Sequence, residues 1–193
     1  MADTPRCTIL VGSLRKDSVN KAAADCAGDY LEGRFTVYRP DLSGVPAFNQ
    51  DVEDAGDPPA VTDLKAAVLD SQLVLIFSPE YNYGIPGVLK NAIDWLSRPF
   101  RAGSLIGKAV GIASVTPGSR GGENTREQLL QTCGVLTERL YQVTLGIPNV
   151  FELDNGGIPE PARPVLRDWL DEVIEFSERR PGTNDLLFAA EPL

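Results

Sequence analysis

The chain contains no histidine. That absence removes every nucleophile and histidine relay and every imidazole metal site, and leaves proton transfer to carboxylates, tyrosine, lysine, cysteine or water. Cysteine is scarce as well: Cys7, Cys26 and Cys133 are odd in number and far apart. Neither a disulfide framework nor a zinc knuckle is indicated, so three unpaired thiols, buried in the core, and no metal site are expected. Long apolar runs are missing. Leu73 to Phe77 is far too short to span a bilayer, and the opening Met-Ala-Asp-Thr-Pro-Arg has no apolar secretory core, so a cytoplasmic protein is expected. Basic residues are in deficit, with 18 Lys and Arg against 27 Asp and Glu and a net charge of −9. Such a field repels phosphate backbones and anionic lipid, so neither nucleic acid nor a membrane is an expected partner. With no histidine to move protons, a bound cofactor becomes an attractive way to carry chemistry.

What is present is ordinary for a globular protein: 193 residues, 42% hydrophobic and 23% charged. One domain over residues 1–180 with a tail over 181–193 fits that length. Cys7 to Val11, Leu73 to Phe77 and Ala109 to Val115 are continuous apolar runs, as expected of parallel strands buried on both faces. Phe35 to Tyr38 gives a short strand, and Gln142 to Val150 contains another near Gly146 and Pro148. Helices are expected over Val19 to Leu31, Thr62 to Asp70, Val88 to Ser97, Glu123 to Leu136 and Val165 to Ser177, with Asp41 to Pro59 a long loop. Strands alternating with helices imply an α/β three-layer sandwich whose five-stranded parallel sheet has the flavodoxin-like order 2-1-3-4-5. The loops richest in Gly, Pro, Ser and Asn then gather at the carboxyl edge, where open α/β sheets bind ligands.

The first of these loops, Gly12-Ser13-Leu14-Arg15-Lys16-Asp17-Ser18-Val19-Asn20, runs directly into a helix. Its free N–H groups and helix dipole suit a phosphate, with Ser13, Ser18 and Asn20 as donors and Arg15 as a charged fork. The alternative is that Ser18 or Asp17 only caps the helix and Arg15 lies on the surface. A single glycine excludes both the Gly-x-Gly-x-x-Gly fingerprint and the Walker loop. In the second loop, Ser78 to Gly87, Tyr81 and Tyr83 beside Pro and Gly can wall a flat ring, with Asn82 and backbone amides at its edge. The alternative there is a simple turn with tyrosines roofing the core.

Together these two loops resemble the NAD(P)H-dependent FMN reductase family, especially its quinone and chromate reductase branch. Gly-Ser-Leu-Arg-Lys-x-Ser-x-Asn at Gly12 to Asn20 is similar to the family's FMN phosphate loop. Pro-Glu-Tyr-Asn-x-x-x-Pro-Gly-x-Leu-Lys-Asn-Ala-Ile-Asp-Trp at Pro79 to Trp95 is similar to its isoalloxazine loop and following helix, and Pro46 to Asp51 is a weaker echo. The resemblance runs from Cys7 to Phe176 and implies a flavodoxin-like fold, noncovalent FMN and a homodimer or homotetramer. It places Ser13, Arg15, Ser18 and Asn20 on the phosphate, and Pro79, Glu80, Tyr81 and Asn82 along the ring. Thr116, Pro117, Gly118, Gly121 and Gly122 fall in the third flavin loop. Where the branch often carries Arg-x-x-Tyr for subunit contacts, this chain has Asn124 and Glu127, a departure that bears on the tetramer.

The activity so implied is transfer of a hydride from NADPH or NADH to FMN N5, then ping-pong delivery to a quinone, flavin, azo compound or metal oxyanion. No protein side chain need be catalytic in itself. A noncatalytic flavodoxin-type carrier or FMN-binding sensor is the rival expectation. On a helical wheel, Val88, Leu89, Ala92, Ile93, Trp95 and Leu96 form an apolar arc of roughly 160°, wider than the roughly 100° that one core contact needs. The Val88 and Trp95 edge is therefore expected against another subunit, unless the Asp41 to Pro59 segment covers it.

Overall fold

Three strands whose central residues are buried on both faces form the middle of the sheet. They are β1 (Arg6–Val11), β3 (Leu73–Phe77) and β4 (Ala109–Val115), flanked by the short edge strands β2 (Thr36–Tyr38) and β5 (Leu145–Ile147). Every residue of β3 and β4 is buried. The order is β2-β1-β3-β4-β5 with all neighbours parallel, the order read from the alternation of elements. The computed structural model describes residues 4–179, so the tail expected over 181–193 lies outside the described residues.

Strand side chains alternate between faces, and the core divides accordingly. On one face Cys7, Ile9, Leu75, Phe77, Ala113 and Val115 pack against α1 (Val19–Leu31) and α6 (Ala162–Glu178). Alanines at 22, 23, 24 and 27 let α1 lie close to the sheet, and Trp169 of α6 meets Phe77 edge to face at 6.4 Å. On the other face Leu10, Val74, Ile76, Val110 and Ile112 pack against α3 (Pro59–Leu69), α4 (Gly87–Leu96) and α5 (Glu123–Gly134). Among the described residues no helix is long and apolar enough to cross a membrane.

The segment expected as a loop from Asp41 to Pro59 holds a 3-10 turn, Leu42–Gly44, and a short helix, α2 (Gln50–Ala55). Both begin with a local cap that the sequence supplies, since Asp41 accepts from the Ser43 amide and Asn49 from the Asp51 amide. This segment covers α4. Trp95 is fully buried, donates its indole N–H to the Pro46 carbonyl at 2.8 Å and meets Phe48 edge to face at 5.0 Å. Asn91 donates to the Pro46 carbonyl at 2.9 Å and accepts from the Phe48 amide at 2.7 Å, while Arg98 pairs with Glu53 at 2.7 Å. The expectation that Trp95 faces another subunit is thus corrected: a buried indole N–H needs an acceptor, and the chain's own excursion provides it.

Candidate active site at the carboxyl edge of the sheet

At the carboxyl ends of β1, β3 and β4 the three loops enclose a cleft of about 590 Å³. That size lies within the usual range for small-molecule and cofactor sites. Its walls include Ser13, Arg15, Ser18, Asn20, Pro79, Glu80, Tyr81, Asn82, Thr116, Pro117, Gly118 and Gly122. Of the residues expected in the site, Gly121 alone is not on the wall.

The first loop leaves β1 after the Gly12 amide donates to the Phe77 carbonyl at 2.8 Å. Ser18 then caps α1 by accepting from the Lys21 amide at 3.3 Å, and no acidic residue sits in the first turn of that helix. The positive helix end therefore faces the cleft without an internal counter-charge. Ser13 is buried and accepts from the Arg15 amide at 3.3 Å. Arg15 is exposed, with one guanidinium nitrogen donating to the Asp17 carbonyl at 2.8 Å. Asn20 has a different engagement. Its amide donates to the Val115 carbonyl at 2.7 Å and accepts from the Val115 amide at 2.9 Å, which ties the start of α1 to the end of β4.

The second loop is a miniature hairpin. Tyr81 and Gly84 exchange both backbone hydrogen bonds, at 3.1 and 3.0 Å, and the two residues between them, Asn82 and Tyr83, have φ of 51° and 61°. Positive φ at both central positions suits a two-residue hairpin turn, but a tyrosine there is uncommon and such strain costs on the order of 1–3 kcal/mol. The compensation comes from α5. Gln128 donates to the Tyr83 carbonyl at 2.8 Å and accepts from the Ile85 amide at 3.4 Å. The loop returns the contact through Glu80, whose carboxylate accepts from the Thr125 amide and from the Asn124 side chain, both at 3.2 Å. Residue 122 at the head of α5 is a glycine with no capping side chain, so Glu80 does that work from another loop.

The third loop is fixed to the segment after β5: Thr116 donates to the Ile147 carbonyl at 3.0 Å and Val150 to the Thr116 carbonyl at 3.0 Å. The double glycine serves this packing. At φ of 56° and 67°, a Cβ on Gly121 would lie 2.8 Å from the Gly146 backbone and one on Gly122 2.1 Å from the Ser114 hydroxyl oxygen. No side chain fits either place. Gly121 thus turns toward β5, where the Arg126 guanidinium laces the Gly121 carbonyl at 3.0 Å to the Thr144 hydroxyl at 2.6 Å.

Tyr83, expected with Tyr81 to wall a flat ring, also lines the cleft, as do residues beyond the expected set, notably Arg120, Val150 and Phe151. Tyr83 and Phe151 are 70% and 72% exposed at its mouth. A cation set between Gly118 and Gly121 was the available signal for Arg120. Phe151, which follows Pro148-Asn149-Val150, gives no local pattern to separate it from any surface aromatic.

Comparison with known proteins supplies the chemistry that the geometry leaves open. The family model described as NADPH-dependent FMN reductase matches residues 5–146. The NAD(P)H-dependent FMN reductase of Pseudomonas aeruginosa is 37% identical over 186 residues, covering 94% of this chain and all 100% of that protein. The 2-hydroxy-1,4-benzoquinone reductase of a Burkholderia species is 35% identical over 180 residues, covering 89% of this chain and 96% of that one. Among solved structures, the flavoenzyme NAD(P)H:(acceptor) oxidoreductase of Paracoccus denitrificans superposes with a TM-score of 0.80 at 29% identity, covering 90% of this chain and 97% of its own.

Proposed function

Because this chain belongs to the NADPH-dependent FMN reductase family, and is therefore an oxidoreductase that uses FMN and NAD(P)H, we infer that the carboxyl-edge cleft is where its cofactor and substrates meet. One observation carries this reading: a helix start flanked by hydroxyls and a cation stands beside a loop wall made rigid by reciprocal hydrogen bonds.

The residues present fit FMN. Ser13, Ser18, Arg15 and the α1 terminus form a donor set suited to one phosphate. Asn20 borders that set and holds α1 in register with β4. Pro79 to Asn82 on one side and Thr116 to Gly118 on the other offer backbone edges and a slot for a flat ring, with Gly121 and Gly122 letting the second wall close on the sheet. Bound FMN supplies the electron chemistry, taking hydride at N5 and passing reducing equivalents on. The chain's part is to bind, orient and exclude, which is consistent with its lack of histidine.

The acceptor is a small molecule, with quinones, flavins, azo compounds and metal oxyanions as the candidates. Donor and acceptor use the same open face in turn, and parallel double-reciprocal plots with NAD(P)H and a quinone are expected; intersecting lines would argue for simultaneous binding. Cofactor released by heat should chromatograph as FMN, and mainly FAD would overturn the single-phosphate reading. Steady NAD(P)H oxidation without a partner reductase separates this enzyme from an electron carrier. Assembly as a homodimer or homotetramer is also expected, with exposed Phe151 as surface to cover, and a clean monomer by light scattering at micromolar concentration counts against it.

Arg15 is the sharpest probe of the phosphate site. Arg15→Ala should weaken FMN by about 1.5–3 kcal/mol, a tenfold to hundredfold rise in dissociation constant, and should affect riboflavin much less. The four affinities form a cycle that cancels general damage to the fold. Equal loss for both ligands would remove Arg15 from the phosphate.

A further inference from the structure

Two cations line the cleft among the described residues, and they stand on different loops. Arg15 follows β1 and Arg120 follows β4, with β3 between the two strands. The phosphate reading above uses Arg15. Arg120 has no such assignment, and its surroundings differ from those of a surface salt bridge. Its carboxylate neighbours, Glu80 and Glu123, lie at 4.0 and 3.9 Å, the outer limit of an ion pair. The Glu80 carboxylate already serves the start of α5. Instead the guanidinium rests 5.6 Å from the centroid of the Tyr83 ring, with its side chain 51% exposed. A cation held over an aromatic face keeps its N–H fork free for another partner.

The base of this side chain is fixed. The Arg120 carbonyl accepts from Arg126 at 3.4 Å, and the strained turn that carries Tyr83 is clamped by Gln128 at 2.8 Å. A flexible lysine-like cation on a loose loop would lose more entropy on binding than this arrangement does.

Net charge gives the site a task. The chain carries −9, and a nicotinamide dinucleotide brings at least its pyrophosphate charge toward the same cleft. Approach against that field needs a local cation beyond the one that holds the cofactor's phosphate. We propose that Arg120 holds a phosphate group of the nicotinamide dinucleotide donor, with Tyr83 as the platform that presents it. This proposal rests on the reading of the cleft as the FMN site.

The test uses FMN-loaded protein and compares wild type with Arg120→Ala and Arg120→Lys. NADP⁺ and NAD⁺ are titrated calorimetrically, and flavin reduction by NADPH and NADH is followed anaerobically as a function of donor concentration. Arg120→Ala should raise the donor constants about tenfold, by loss of a charge-assisted bond, and Arg120→Lys should recover part of that. The constant for neutral 1,4-benzoquinone in flavin reoxidation should move much less. A rise for the phosphorylated donor alone still supports the proposal and places the 2′-phosphate on Arg120; an equal rise for both donors places the pyrophosphate there. Donor constants that ignore Arg120, or a loss confined to the ionised acceptor 2-hydroxy-1,4-benzoquinone, overturn it. Wild-type protein that takes up no FMN overturns both readings, whereas protein that binds FMN normally and ignores Arg120 overturns this one alone.

Discussion

Gln128 touches the Tyr83 carbonyl inside the Tyr81 to Gly84 hairpin and the Ile85 amide just after it, although it sits on a helix that follows a different strand. Its position is unremarkable in sequence, between Glu127 and Leu129, and only the fold brings it to Tyr83. Gln128→Ala should cost about 0.5–1.5 kcal/mol of stability, the net worth of a lost hydrogen bond. The more telling readout is FMN release. If the clamp holds the strained turn in shape, the variant should release FMN faster than wild type, while Gln128→Glu, which keeps the acceptor but not the donor, should fall between alanine and wild type. Release rates that do not change would mean that the turn keeps its shape without α5. The contrast with Ser13, Arg15 and Ser18 is instructive. Those residues could be read from the chain because a hydroxyl and a cation before a helix start have a local physical meaning. Gln128 and Arg120 act through partners about 40 positions away in the sequence, Tyr83 in both cases, and local patterning carries no trace of that. Glu80 lies between these cases: its place on the cleft wall follows from its loop, whereas its service as the cap of α5 does not.

Strands and helices were readable wherever a run was apolar on both faces or kept a helical period. Leu73–Phe77 and Ala109–Val115 stand where the pattern places them, and Val19–Leu31 begins at the cap that Ser18 provides. The excursion between β2 and α3 was harder, because α2 spans a single short, mostly polar stretch with no residue fully buried. Its order comes instead from α4, through Asn91, Trp95 and Arg98. The same contacts explain why an apolar arc that looked too wide for one monomer is satisfied within it. Trp95→Phe tests this latch, since it removes the N–H bond to Pro46 and leaves a smaller ring. A loss of about 1–3 kcal/mol in urea unfolding is expected from the bond and the cavity together. Limited proteolysis should show faster cleavage within residues 41–59 in the variant. Unchanged cleavage would mean that the excursion is held by something other than the helix it covers.

At the scale of the whole molecule, the sheet order followed from alternation and handedness, whereas no feature of the chain settles the number of subunits, because Tyr83, Phe100 and Phe151 are exposed as single aromatics without a period. The cysteines offer a test of whether the two faces of the sheet behave as one unit. Cys7 in β1 belongs to the α1 and α6 face, Cys133 in α5 to the opposite face, and both are fully buried, while Cys26 is partly exposed. Burial raises the Cys7 thiol well above its ordinary range and pushes Cys133 up to about 12 from 9.0. Neither is a thiolate at neutral pH in the folded state, so reaction with a thiol reagent requires opening of the core. Cys26 should react first. Cys7 and Cys133 should then react with one shared opening free energy if the sheet and both helical layers open cooperatively, and with two if α5 and its neighbours open separately. Alkaline pH gives an independent check with a definite sign. In the unfolded chain a thiol ionises near 9.0, while in the folded chain Cys133 keeps its proton until about 12, so across that window the folded state binds more protons and stability must fall as pH rises. Cys133→Ala should flatten part of that fall when urea midpoints are compared between pH 8 and pH 11, values chosen to lie below and within the window. A slope unchanged by the substitution would mean that Cys133 does not contribute to it, and that its burial is less complete in solution than the packing of α5 on β4 implies.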